Sequence, residues 1–151
     1  MALSFLLLWV FRTQQFTGDS LWYAKNALNG TDLFHPHHLI YTPLIRALFL
    51  GLNSIGIDVS IIDAGQLFNI SFAGLTIGLV HRILRVCVSD VIAILIPIIL
   101  LSCSGFWTYS TQIEVYIPGI FFSILLFWSL IQKRLTLPTM AISIFGFALA
   151  V

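Results

Sequence analysis

Four apolar runs, Leu39–Ile57, Ile61–Leu84, Val91–Trp107 and Val115–Ile131, follow one another with only short polar breaks. About 20 apolar residues is the length a helix needs to cross a hydrocarbon core of about 30 Å. In lipid each backbone N–H and C=O must be satisfied within its own segment, which a helix achieves and an open strand does not. The pattern therefore restricts the chain to an all-α, polytopic transmembrane protein. Charge content agrees: 9% of residues are charged and 59% hydrophobic, with a mean hydropathy of +1.02. A soluble domain carries about 25% charged residues. With a net charge of +1 and no basic stripe, a nucleic-acid partner is excluded. Cys87 and Cys103 lie in apolar runs without CxxC spacing and read as small packing residues.

Met1–Phe11 lacks the basic start and the cleavage site of a signal peptide. As a helix it rises only about 16 Å, half the hydrocarbon thickness. Thr139–Val151 is an apolar run that stops without a flank. Both ends read as cut. The expectation is a single transmembrane domain over 1–151, the front part of a longer protein.

Basic residues orient the runs. Of seven Lys and Arg, four fall in HRILR (Arg82, Arg85) and QKR (Lys133, Arg134), and short cytoplasmic loops carry such an excess. Two runs separate the clusters, which sets GFWTYSTQIEVY on the outer face. Leu39–Ile57 contains Pro43, Arg46 and Asn53, which suits a helix lying along the interface better than one in the bilayer centre. On that reading residues 12–57 form a long first outer loop with juxtamembrane helices. If Leu39–Ile57 crossed instead, the loop would be cytoplasmic. Within the loop, Ser20–Leu28 is expected as a short helix, with Asp19 or Ser20 as N-cap and Gly30 as its left-handed stop. In Ile61–Leu84, Asp63, Gln66 and Asn69 recur every three residues, and Gly74 and Gly78 form a GxxxG that admits a close neighbour.

The polar chemistry gathers in TGDSLWYAKNALNGTDLFHPHHLIYTPL and around Glu114, the one glutamate of the chain. A carboxylate at the edge of a membrane helix faces a cavity or a partner, although Glu114 also suits a plain helix start. Asp19 serves equally as a cap or as a general base for an acceptor hydroxyl. Trp107, Tyr109 and Tyr116 have a plain reading as interfacial anchors. In HPHH, Pro36 keeps His35 and His37 off one helical face, and the spacing is no zinc pattern, so no metal is assigned. Phosphate or substrate contacts suit these imidazoles better, with Lys25 and Arg46 as further phosphate contacts. Tyr23, His37, His38 and Tyr116 make up the candidate substrate-binding set.

An acid after the first apolar segment, an amphipathic outer helix, an H-P element and a later acid among aromatics resemble the GT-C membrane glycosyltransferases. GDSLWYAKNAL, HPHHLIYTPL and FWTYSTQIEVY are most similar to proteins related to the protein O-mannosyltransferases, where GD, HP and F-W…E-V-Y recur in this order over roughly Thr17 to Leu130. The resemblance implies an inverting enzyme with Asp19 as catalytic base, Glu114 as the second acidic site, and His37 and His38 near the donor phosphate or acceptor. Its donor is a polyprenyl-phosphate-linked sugar such as mannose, and its acceptor a protein, lipid or glycan on the outer face. No cofactor is implied. A single Asp followed by Ser, not a paired acid, argues against a metal-dependent oligosaccharyl-transfer site. In the family, later spans complete the carrier-lipid groove, so activity is expected of the longer protein. The expected location is multi-pass in a bacterial inner membrane or the endoplasmic reticulum membrane. The rival readings are a transporter or channel subunit with Asp19, Asp63 and Glu114 along a polar path, and a non-catalytic membrane partner subunit.

Overall fold

The computed structural model describes residues 2–35 and 39–131, together with 137, 138, 140, 141, 144 and 146. These described residues form helices and no strand. The helices are α1 (Ala2–Val10), α2 (Gly18–Asn29), α3 (Tyr41–Ser54), α4 (Ile61–Cys87), α5 (Asp90–Ser102), α6 (Ser104–Thr111) and α7 (Tyr116–Ile131).

Every other helix packs on α4, the longest at 27 residues. Its start is a serine cap: Ser60 Oγ accepts from the Asp63 N–H at 3.0 Å and donates to Asp63 Oδ2 at 2.7 Å, which satisfies a donor the helix leaves open. Spanning about 40 Å, α4 is long and apolar enough to cross a membrane. The expected straight span Val91–Trp107 is instead the pair α5–α6, bent by 66° and qualifying only as a broken span. The break falls at Cys103, whose backbone is extended. Beside it Ser102 Oγ donates back to the Ile98 carbonyl at 2.9 Å, a bond that bends helices. With 16 residues, α7 is a shorter apolar helix.

The polar loop folds into two short helices on the N-terminal end of α4. At the start of α2 the cap is Thr17, not Asp19 or Ser20: Thr17 Oγ1 accepts from the Ser20 N–H at 3.1 Å. A cap oxygen reaches the third helical N–H, so Asp19 moves into the first turn. The stop is Gly30 as expected, at φ 73°, a conformation that costs glycine nothing. Arg46 seals this end by donating from Nη1 to the carbonyls of Ala27 (2.6 Å) and Leu28 (2.8 Å). The 14 residues of α3 rise about 21 Å, short of a hydrocarbon core. It buries Tyr41, Thr42 and Ile45 and leaves Leu44 and Leu50 exposed, and Pro43 sits in the first turn, where no N–H bond is lost.

Two apolar clusters hold the bundle. One joins α2, α3 and the head of α4 through Tyr23, Ala27, Tyr41, Ile45, Ile61 and Ile113. The other joins α1, α4, α6 and α7 through Leu8, Ile70, Ala73, Ile77, Phe106 and Ile117. A run of ring contacts, Tyr23–Tyr41–Phe68–Phe72–Phe121, links them at centroid distances of 4.9–5.8 Å; such pairs are worth about 0.5–1.5 kcal/mol each beyond their buried area. Ile113 closes on α4 at Gly65, where an added Cβ would lie 2.8 Å from Ile113 Cγ1. Gly74 and Gly78 of the GxxxG border cavities beside α1. Both cysteines are exposed thiols and not the packed ones expected.

Candidate functional site

Residues 112–115 cross between α6 and α7 outside either helix, with only the Gln112 N–H and the Val115 carbonyl still in helical bonds. Two buried amides of α4 supply what this backbone lacks. Gln66 Nε2 donates to the carbonyls of Thr111 (2.7 Å) and Thr13 (2.9 Å). Asn69 Nδ2 donates to those of Gln112 (2.8 Å) and Glu114 (2.7 Å). Each amide oxygen is also used: Gln66 Oε1 accepts from Arg12 Nε at 3.0 Å, and Asn69 Oδ1 from the Tyr41 hydroxyl at 2.9 Å. The large majority of buried polar groups are paired in this way. The polar stripe legible at Gln66 and Asn69 is thus a clamp on the chain that carries Glu114.

Held there, Glu114 is 4% exposed and meets the start of α2. Its Oε1 accepts from Thr17 Oγ1 at 2.6 Å and from Ser20 Oγ at 3.2 Å. Each hydroxyl has one proton, and with both spent on the carboxylate, Thr17 keeps a lone pair for its cap bond to the Ser20 N–H. The positive end of the α2 dipole favours a carboxylate here. Thr17 and Ser20 flank Asp19, which is exposed. Two acids separated by 95 positions therefore share one helix start, Glu114 inside and Asp19 on the surface.

Tyr23 lies one turn beyond Asp19 and is buried, its ring edge-on to Trp22 and Tyr41. Burial, then the charges of Glu114 and Asp19 and the nearby Tyr116, push its phenol well above the ordinary tyrosine value, so it stays protonated. The Tyr41 phenol is raised in the same way, chiefly by burial and then by Glu114. Tyr116 is exposed and packs its ring on Tyr109 at 4.9 Å. His35 sits edge-on to Trp22 at 5.4 Å. His37 and His38 lie outside the described residues. Asn26 Nδ2 and Thr42 Oγ1 are buried without a partner among the described residues.

Two cations expected near phosphate differ in use. Lys25 is exposed, whereas Arg46 is committed to the end of α2, because the last carbonyls of a helix have no internal donor. Asp63, a residue of the polar-path reading, is bound by Ser60 and by Arg12, whose Nη2 is 3.1 Å away. Arg12 also lies over the Trp9 ring at 4.2 Å. Among the described residues no three His, Cys, Asp or Glu converge as a metal site.

Sequence reasoning singled out Asp19, Tyr23, Glu114 and Tyr116, and these come together. It named Ser20 only as a possible cap and assigned nothing to Thr17, the two hydroxyls that receive Glu114. Their one signal was the T-G-D-S spacing, which reads as capping alone. Set against known proteins, the chain matches no family model, no curated protein and no solved structure.

Proposed function

We propose that the chain forms the front part of a polytopic, inverting membrane glycosyltransferase of the GT-C kind. It moves a sugar such as mannose from a polyprenyl-phosphate carrier to a protein, lipid or glycan acceptor at the outer face. The observation that carries this reading is the Glu114 carboxylate seated on Thr17 and Ser20, beside Asp19. Asp19 is accessible and takes the acceptor proton. The acceptor oxygen then attacks the anomeric carbon opposite the phosphate, the C–O bond to phosphate breaks, and polyprenyl phosphate leaves with the electron pair. Glu114, buried, orients the α2 start, and Tyr23 stays protonated beside it. In this reading α4, the α5–α6 pair and α7 cross the membrane, and α2 and α3 lie at the outer interface.

A transport path is the weaker reading. Asp63 is occupied by Arg12 and Ser60, and Gln66 and Asn69 are filled by backbone carbonyls. The acids also cluster at one end of α4, whereas a transporter binds at the bilayer midplane.

The test is Asp19→Asn in the full-length protein, with transfer from a polyprenyl-phosphate sugar as readout. Loss of a general base lowers the rate by about 10²–10⁴-fold, while membrane abundance stays normal because Thr17 holds the cap. Glu114→Gln is expected to reduce transfer too, and non-additively with Asp19→Asn, since residues acting as a unit cannot be lost twice. Near-wild-type turnover of Asp19→Asn would leave Asp19 a surface residue and end the proposal.

A further inference from the structure

Far from the acidic site, the C-terminal half of α4 borders two cavities. One, of about 850 Å³, runs between α1, α4 and α5 and is lined by apolar side chains including Leu7, Ile77, Ile94, Pro97 and Leu101, with His81 among them. The other, of about 380 Å³, is lined by His81, Arg82, Arg85 and Val86. His81 borders both, so the apolar slot and the basic one adjoin at its imidazole. That ring is fixed by Nδ1, 2.9 Å from the Ala93 carbonyl on α5. The larger volume falls within the range of about 300–1,000 Å³ typical of sites that enclose a ligand.

Depth and charge identify the occupant. From Asp63 to Arg82 the helix rises about 28 Å, close to one hydrocarbon thickness. With the Arg12–Asp63 pair at one interface, Arg82 and Arg85 stand at the headgroup level of the other. Arg85 is paired with Asp90 at 3.4 Å, but both side chains are largely exposed, at 62% and 78%, and such pairs contribute little. Arg85 is therefore open to a second anion. We infer that this is a phospholipid site: an acyl chain fills the apolar slot and the phosphate of an anionic headgroup lies between Arg82 and Arg85, beside His81. The site is independent of the acids at the other end of α4 and holds whether or not the chain belongs to a transferase.

The experiment is native mass spectrometry of the purified 151-residue chain in mild detergent, titrated with phosphatidylglycerol or with phosphatidylcholine of the same acyl chains. Phosphatidylglycerol should be retained preferentially. A basic residue near anionic lipid is worth a factor of about five, so Arg82→Gln and Arg85→Gln should each lower its retention about fivefold and lower that of phosphatidylcholine less, because the choline cation offsets its phosphate. Asp90→Asn, which frees Arg85, should raise it. Leu101→Trp, which fills the slot from an edge distant from the arginines, should weaken both lipids. Equal retention of the two lipids, or arginine variants that keep phosphatidylglycerol, would overturn the inference. Displacement of the lipid by inorganic phosphate would overturn it as well, marking a free-anion site in place of a lipid one.

Discussion

Replacing Asn69 with leucine tests the clamp directly, because it keeps the volume and removes the amide. The side chain is fully buried and donates to the Gln112 and Glu114 carbonyls while accepting from the Tyr41 hydroxyl. Leucine leaves three buried polar groups without partners. An orphaned buried group costs about 1–3 kcal/mol, so even the low end sums to about 3 kcal/mol, which opens the 109–115 segment more often by a factor of about 10². Ser110 is fully buried in that segment, so a cysteine there reports opening. In a background with Cys87→Ser and Cys103→Ser, Ser110→Cys should react slowly with a maleimide. Adding Asn69→Leu should accelerate labelling about 100-fold, since the rate follows the open population when closing is fast. Tyr41→Phe removes one of the three orphans, so combined with Asn69→Leu it should label more slowly than the product of the single effects. A change below about threefold for Asn69→Leu, equivalent to roughly 0.6 kcal/mol, would show that the carbonyls are served by other donors and refute the clamp.

Single cysteines at Asn29, Ser54 and Thr108, all exposed positions, should label from outside the cell, and one at Ser89 from inside; labelling of Asn29 from the cytoplasm alone would overturn the outer-loop topology. Gly30→Ala imposes a positive φ on a β-carbon and brings it 3.1 Å from the Arg46 guanidinium. It should lower thermal stability by about 1 kcal/mol or more and fray the end of α2, visible as faster amide exchange at Thr31; an unchanged melting temperature would mean that the α2 stop bears no load.

The elements themselves were largely legible in the sequence. Helical segments follow from the apolar runs, and Gly30 ends α2 because glycine alone takes a left-handed φ without strain. The shortness of α3 was foreshadowed by Pro43, Arg46 and Asn53 in an otherwise apolar run. Local cues could not rank Thr17, Asp19 and Ser20 as caps, since all three residue types cap well and the choice depends on where the chain enters the helix. The bend at Cys103 also escaped the pattern, because hydrophobicity along Val91–Trp107 is the same for a straight helix and for a broken one.

What chemistry-bearing residues touch was decided by tertiary structure alone. Composition made Glu114 conspicuous as the one glutamate, and polarity made Gln66 and Asn69 conspicuous in an apolar helix. Nothing local joins them, for Asn69 and Glu114 are 45 positions apart and Glu114 and Thr17 are 97 apart. A segment that leaves the helix at 112–115 has carbonyls to satisfy, and α4 presents its amides one turn apart on the facing side. That demand turns the Glu114 side chain toward the start of α2. The sequence by itself determined that polar groups would be buried in an apolar bundle, and the packing of α2, α4 and the 112–115 crossing determined their partners, because a buried polar group is satisfied by whichever backbone the fold brings to it.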